Sequence, residues 1–300
     1  MASTELHKRF KNLSEPLEPV DTETIPTLQE LNDIRVIVYD FYGTLFISGV
    51  GDIGIDDGQA NADLLTETLE NSEIKILNES TGTAGFKVYN CVVEKHIQRL
   101  KKDGIEYPEP DIRAVWKDVL DEMQSEGLIK YSGEDTVAEV ISVEFEARMN
   151  PVWPMEDAVD TLTYFKKKGF IQGIISNSQF YTPIVLEALT DYSLDELGFE
   201  RELLHWSFEE NLKKPGLQFY KDFLDKLNAY DQTLTPSNVL YVGNDMLKDV
   251  YPANHFGMKT ALFAGDKRSL KWREDDERCK DLLPDLIITS LSQLKECVKL

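Results

Sequence analysis

The sequence predicts a doubly wound, Rossmann-like α/β fold whose parallel sheet is interrupted by an all-helical insertion. Three observations predict it. Short, mainly apolar runs, "IRVIVY" at 34–39, "FIQGIIS" at 170–176 and "NVLYVG" at 238–243, read as strands, the first as a buried one. From residue 150 onward such runs alternate with amphipathic stretches, the signature of a parallel sheet with helices on both sides. The region 59–149 shows helical periodicity and few strand signals, so it is an insertion directly after the first strand.

Residues 1–33, including "LSEPLEPVDTETIPTLQELND", are polar and carry Glu and Pro. They read as a loosely ordered N-terminal arm ending in a short helix. The core is assigned to 34–49 and 150–300, and the helical insertion to 50–149. Within the insertion, "FKVYNCVVEKHIQRLKKDG" places Phe86, Tyr89, Val93, Ile97 and Leu100 on one helical face and ends at Gly104. "EDTVAEVISVEFEARM" sets Val137, Ile141, Phe145 and Met149 at four-residue steps, and "PDIRAVWKDVLDEMQSEG" makes a further helix. These faces belong to a bundle core and carry no chemistry. Next come a helix at 155–168 stopped by Gly169, the strand 170–176, a helix at 182–189 and the strand "LLHWSF". A helix at 216–228, the strand 238–243, a helix at 248–256, the strand "KTALFA" and a strand–helix "DLIITSLSQLKECV" complete the chain.

Composition narrows the function. Of 300 residues, 54 are acidic and 32 basic, a formal charge of −22 that repels phosphate backbones and argues against a nucleic-acid partner. A site for an anionic small molecule must therefore be locally positive. Cys91, Cys279 and Cys297 are odd in number and lack metal-like spacing, which fits a reducing compartment. The start "MASTELHKRFKN" has no apolar leader core, and no run of 18 apolar residues occurs. A soluble, cytoplasmic protein without a membrane partner is expected. "GVGDIG" at 49–54 spells G-x-G-x-x-G, but it neither follows a strand directly nor opens an amphipathic helix. It reads as a flexible hinge, not a cofactor loop. His7, His96, His205 and His255 are scattered and take ordinary roles.

Ligands of open parallel sheets sit beyond the carboxyl ends of the strands. Asp40 stands there in "VIVYDFYGTLF", Ser176 and Asn177 follow "GII", and Asn244 and Asp245 follow "LYVG", with Asp249 one helical turn on. Lys213 and Lys214 precede a proline in "LKKPGLQFY". In order and spacing these resemble the four motifs of the haloacid dehalogenase-like hydrolases. "DFYGTL" matches D-x-x-x-T, "IISNS" the second motif, "KKPGLQFY" the third and "YVGNDMLKDVYPANHFGMKT" the acidic fourth.

The resemblance implies a Rossmann-like core, a helical cap at the insertion and an aspartyl-enzyme intermediate. Asp40 becomes the nucleophile, since a carboxylate can split one hard displacement into two easier ones. Lys214 would neutralise charge on nucleophile and substrate, with Lys213 as the alternative. Ser176 would hold transferring oxygens with nearby N–H groups. Thr44 would orient Asp40, and Asn177 and Gly43 fall beside the substrate. Asp40, Asp245, Asp249 and Asn244 are the candidate ligands of Mg²⁺, a hard cation that prefers oxygen.

Two departures matter. Phosphatases of the family usually carry Asp where this chain has Tyr42, and a phenol with a pKa of about 10 donates readily but is a poor base. The dehalogenase branch reads D-x-Y-G-T, and a departing halide needs no proton. In the fourth motif, the longer spacing to Asp249 begins at Asn244, an amide, whereas the shorter one begins at Asp245 and keeps both carboxylates. The expected function is Mg²⁺-assisted hydrolysis of a small phosphorylated metabolite. Metal-independent 2-haloacid dehalogenation and a non-catalytic binding role are the alternatives, and oligomeric state is not legible.

Overall fold

The structure is a computed structural model that describes residues 2–49 and 58–300. Ten strands are labelled in chain order: β1 (Val36–Tyr39), β2 (Phe46–Ser48), β3 (Lys75–Ile76), β4 (Ile129–Lys130), β5 (Val152–Pro154), β6 (Ile171–Ser176), β7 (Phe199–Trp206), β8 (Val239–Gly243), β9 (Lys259–Phe263) and β10 (Leu286–Ile288). Six form one parallel sheet in the order β10-β9-β8-β1-β6-β7. β6 and β7 lie on one side of β1, and β8, β9 and β10 on the other. The winding reverses at β1, so the crevice for a ligand opens at its carboxyl end.

All four residues of β1 are buried because each face of the sheet meets helices. Successive side chains alternate. Val36 and Val38 join Ile175, Tyr241 and the helix Leu217–Tyr230 through Phe219 and Phe223. Ile37 and Tyr39 join Ile174, Leu240 and Val242 under the helices Ala158–Lys168 and Thr182–Thr190. The doubly wound class read from the sequence is therefore the observed one.

Residues 58–149 supply the helices Gly58–Asn71, Thr81–Lys102, Ile112–Ser125 and Asp135–Met149. They enclose a separate apolar cluster that includes Leu65, Phe86, Trp116, Val119, Ile141 and Phe145. An antiparallel β3–β4 pair, not foreseen in the sequence, closes one edge. A second antiparallel pair, β2–β5, ties the two connections to the core together, and Gly49 N donates to Pro151 O at 2.7 Å. The hinge expected within "GVGDIG" lies outside the described residues from Val50 to Gly54.

The N-terminal arm differs from expectation. Its helix, Ala2–Leu13, stands at the start and not at the end. Leu6 and Phe10, four residues apart, bury one stripe against the core, and Pro16 and Pro19 follow the helix. The stretch expected to be helical is extended instead, because the core takes up its backbone groups. Leu31 N donates to Cys297 O at 2.7 Å and Lys299 N to Leu31 O at 2.9 Å. Among the described residues, no helix is long and apolar enough to cross a membrane.

Candidate active site

Asp40 continues β1 for one residue, its N donating to Val242 O at 2.9 Å. Its Oδ1 accepts from Phe41 N at 2.8 Å and from Lys214 Nζ at 2.8 Å. Lys214 is buried and also donates to Asp249 Oδ1 at 2.6 Å and to the Tyr241 hydroxyl at 3.2 Å. Burial alone would discharge this ammonium, but Asp249 and Asp40 outweigh it and hold the lysine above its ordinary value. Lys213 turns the other way, to Glu109 Oε2 at 3.1 Å. Of the two lysines left open by the sequence, Lys214 is the one at Asp40.

Asn177 fixes the lysine loop rather than standing free. Its Oδ1 accepts from Lys214 N at 2.8 Å and its Nδ2 donates to Lys214 O at 3.2 Å. Asp249 is fully buried, and its carboxyl is pushed up to about 6. Burial is the largest cause; Lys214 pulls it down, and Asp40 and Asp245 push it up. Gly243 is required beneath it, since a Cβ there would lie 2.4 Å from Asp249 Cγ.

Two predicted residues, Thr44 and Gly43, take other partners, and a third, Ser176, has none for its hydroxyl among the described residues. The Thr44 hydroxyl donates to Asn244 Oδ1 at 3.1 Å, so it braces the loop after β8. Gly43 has φ +83°, gives its N–H to Phe46 O at 2.7 Å, and would drive a Cβ to 2.7 Å from Ser269 Cβ. It lets two loops touch. Ser176 ends β6 fully buried, its Oγ without a partner among the described residues.

Tyr42 lines the cavity beside Asp40, and its hydroxyl meets Thr182 Oγ1 at 3.1 Å. Burial first, then the charges of Glu146 and Asp40, push this phenol far above its ordinary value, against the Thr182 hydrogen bond. It stays protonated at any working pH. The cavity, about 330 Å³, is lined by Asp40, Lys214 and Asp249, and also by Glu146, Lys248 and Lys271, which sequence reasoning missed. Lys248 lay inside the fourth motif and was legible. Glu146 and Lys271 lay in no motif.

This geometry gives meaning to likeness with known proteins. A family model described as HAD-hydrolase-like matches residues 211–294, the segment that carries Lys214, Asp245 and Asp249. Over that segment the chain is similar to the haloacid dehalogenase-like hydrolases. It is 32% identical over 140 residues to a glyceraldehyde 3-phosphate phosphatase of Pyrococcus furiosus, a match covering 46% of this chain and 52% of that one. The chain thus spans about half the length of that relative. An uncharacterized hydrolase of Schizosaccharomyces pombe is 26% identical over 189 residues, 56% of this chain and 78% of the other. A 2-haloacid dehalogenase of Pseudomonas syringae shares the fold, with a TM-score of 0.54 at 18% identity over 88% of this chain and 97% of that one.

Some members of such a hydrolase family use Mg²⁺, and the residues expected to hold it can be tested against their partners. All four line the one cavity. Asp245, however, is gripped from two sides by Arg273, with Nε 3.1 Å from Oδ1 and Nη2 2.6 Å from Oδ2, and its Oδ1 also caps Leu247 N at 2.8 Å. Asn244 is spent on Thr44 and on Ser269 O, the latter at 2.7 Å. Asp249 is spent on Lys214, Tyr241 and the N–H of Asp245. Among the described residues, no three acidic, histidine or cysteine side chains are grouped to hold a metal. As arranged, the donor set does not fit Mg²⁺: one lysine, Lys214, and one arginine, Arg273, occupy the carboxylates.

Proposed function

We propose that the chain hydrolyses a small phosphate monoester through an aspartyl-phosphate on Asp40. One observation carries the reading: the carboxylate at the end of β1 opens on the cavity with the buried ammonium of Lys214 at 2.8 Å. In the first half-reaction an Asp40 oxygen attacks phosphorus and the alcohol departs. In the second, water attacks phosphorus, releasing phosphate and restoring the carboxylate. Lys214 stays charged throughout and offsets negative charge between nucleophile and phosphoryl group. The uncommitted Ser176 hydroxyl is a candidate donor to a phosphoryl oxygen. No step runs through a metal.

Lys248 and Lys271 join Lys214 in the cavity lining, alongside its carboxylates, and offer cations to an anionic substrate. A volume of about 330 Å³ suits a small molecule. The relative named as a phosphatase supports the same class. Residues 34–49 and 150–300 are read as the catalytic core, and 50–149 as a cap that covers the cavity and excludes water.

Dehalogenation of a small 2-haloacid is the second reading. It is favoured by Tyr42 in place of an acid and by Arg273 on Asp245 in place of a metal. A screen of phosphate esters and haloacids, with and without Mg²⁺, separates the two. In either case Asp40→Asn should lower turnover by several orders of magnitude while the melting temperature survives. Near-normal turnover in that variant would overturn covalent catalysis by Asp40.

A further inference from the structure

A phosphatase that transfers the phosphoryl group from an alcohol needs a proton for the departing oxygen. Tyr42 occupies the expected place but points its hydroxyl at Thr182 and is held protonated. Opposite it, the helix Asp135–Met149 of the insertion presents two glutamates of different kinds. Glu144 is buried in ion pairs with Arg9 and Arg148, at 2.9 and 2.8 Å. Glu146 lines the cavity with Asp40 and Tyr42 and makes no ion pair among the described residues.

Its contacts are neutral donors. Asn150 Nδ2 reaches Glu146 Oε1 at 3.3 Å, and the Tyr181 hydroxyl also donates to it. Asn150 is itself turned by Ser48, whose Oγ donates to Asn150 Oδ1 at 2.8 Å. Since that bond takes the amide oxygen, the amide nitrogen is the end aimed at Glu146. A hydrogen-bonded chain therefore runs from β2, just beyond the nucleophile loop, to a carboxyl on the insertion.

We propose that Glu146 is the acid–base residue that position 42 lacks, and that the substrate is consequently an ester of an ordinary alcohol. Resting on the phosphatase reading, the steps balance. As Asp40 attacks phosphorus and the P–O bond breaks, the Glu146 carboxyl gives its proton to the leaving oxygen. The resulting carboxylate then takes a proton from the water that attacks the aspartyl-phosphate, so phosphate, Asp40 and the protonated Glu146 are regenerated. Burial pushes the Glu146 carboxyl above its ordinary value, Tyr181 and Asn150 pull it down, and Glu109 pushes it up, with a net rise. The titratable groups facing it are Tyr42 and Tyr181 from the core and Tyr89 and Glu109 from the insertion. The three phenols are all raised by burial, so none is an anion that would compete.

The test compares glycerol 2-phosphate with p-nitrophenyl phosphate, whose leaving group departs without a proton. Glu146→Gln should lower kcat/KM, which reports only the steps through departure of the leaving group, by roughly 10²–10⁴-fold on the alkyl ester and by less than about tenfold on the aryl ester. Wild-type kcat/KM on the alkyl ester should fall as pH rises through the Glu146 pKa, and the variant should lack that limb. Equal losses on both esters, or none, would overturn the role of Glu146 while leaving the phosphatase reading intact. No turnover of either ester by the wild type would overturn the phosphatase reading itself. Should the variant fail to fold, a series of wild-type leaving groups decides: weak dependence on leaving-group basicity supports the role, and steep dependence overturns it.

Discussion

Asp245 and Asp249 stand four residues apart and are treated oppositely by the fold. Asp249 is inside, against the strand end left open by Gly243, and meets an ammonium. Asp245 caps the turn that follows and meets a guanidinium in a two-pronged pair. Such a fork matches both carboxylate oxygens at once, which a point cation does not. Arg273 thereby competes with any ion for Asp245. The consequence is measurable by thermal shift. Mg²⁺ should scarcely move the melting temperature of the wild type and should raise it in Arg273→Gln, because a ligand that binds only the folded state stabilises it. A large rise in the wild type, equal to that in the variant, would show that Arg273 yields to the ion.

The elements divide by how their partners are encoded. β1 and β8 are legible because each is buried on both faces and so is apolar without a break, and β6 is legible despite Gln172, whose buried amide is satisfied by Leu162 O and Leu197 O. β2 and β5 are three residues each, too short for any period, and exist because the two core–insertion connections pair with one another. The N-terminal helix was missed because a stripe as narrow as Leu6 and Phe10 acquires meaning only against a core that is distant in sequence. The site divides in the same way. Asp40, Lys214 and Asp249 lie in local motifs, whereas Arg273 and Glu146 act on partners that no spacing connects to them.

β7 gives a test at this scale. His205 is fully buried, its ring stacked on Phe219 at 4.2 Å and its Nε2 2.8 Å from Phe219 O. Burial first, then Lys226, hold it down to about 4, against the opposing pull of Glu210 and the Phe219 carbonyl. An unfolded imidazole titrates near 6.5. Between those values the unfolded chain binds the extra proton, so stability is full above about pH 6.5 and declines as pH falls toward 4. His205→Gln removes this contribution, and its melting temperature should fall less steeply over that window. Parallel curves for the two proteins would place the acid sensitivity elsewhere.

For the whole molecule, a charge of −22 surrounds a cavity in which Lys213, Lys214, Lys248 and Lys271 stand among the carboxyl groups of Asp40, Glu109, Glu146, Asp245 and Asp249. The two fields act over different distances. At about 10 mM salt the screening length is about 30 Å, so an approaching dianion meets the net negative charge of the protein before it meets the lysines. At about 150 mM it shrinks to about 8 Å, the repulsion fades, and the short-range attraction at the cavity persists. Raising salt across that range should therefore increase kcat/KM for p-nitrophenyl phosphate by roughly two- to fivefold, opposite to an enzyme that steers its substrate from afar. Because burial shields Asp40 and Lys214 from mobile ions, kcat should change little. A fall in kcat/KM with added salt would mean that the lysines already dominate the field at the cavity mouth, and that the acidic surface is arranged to spare it.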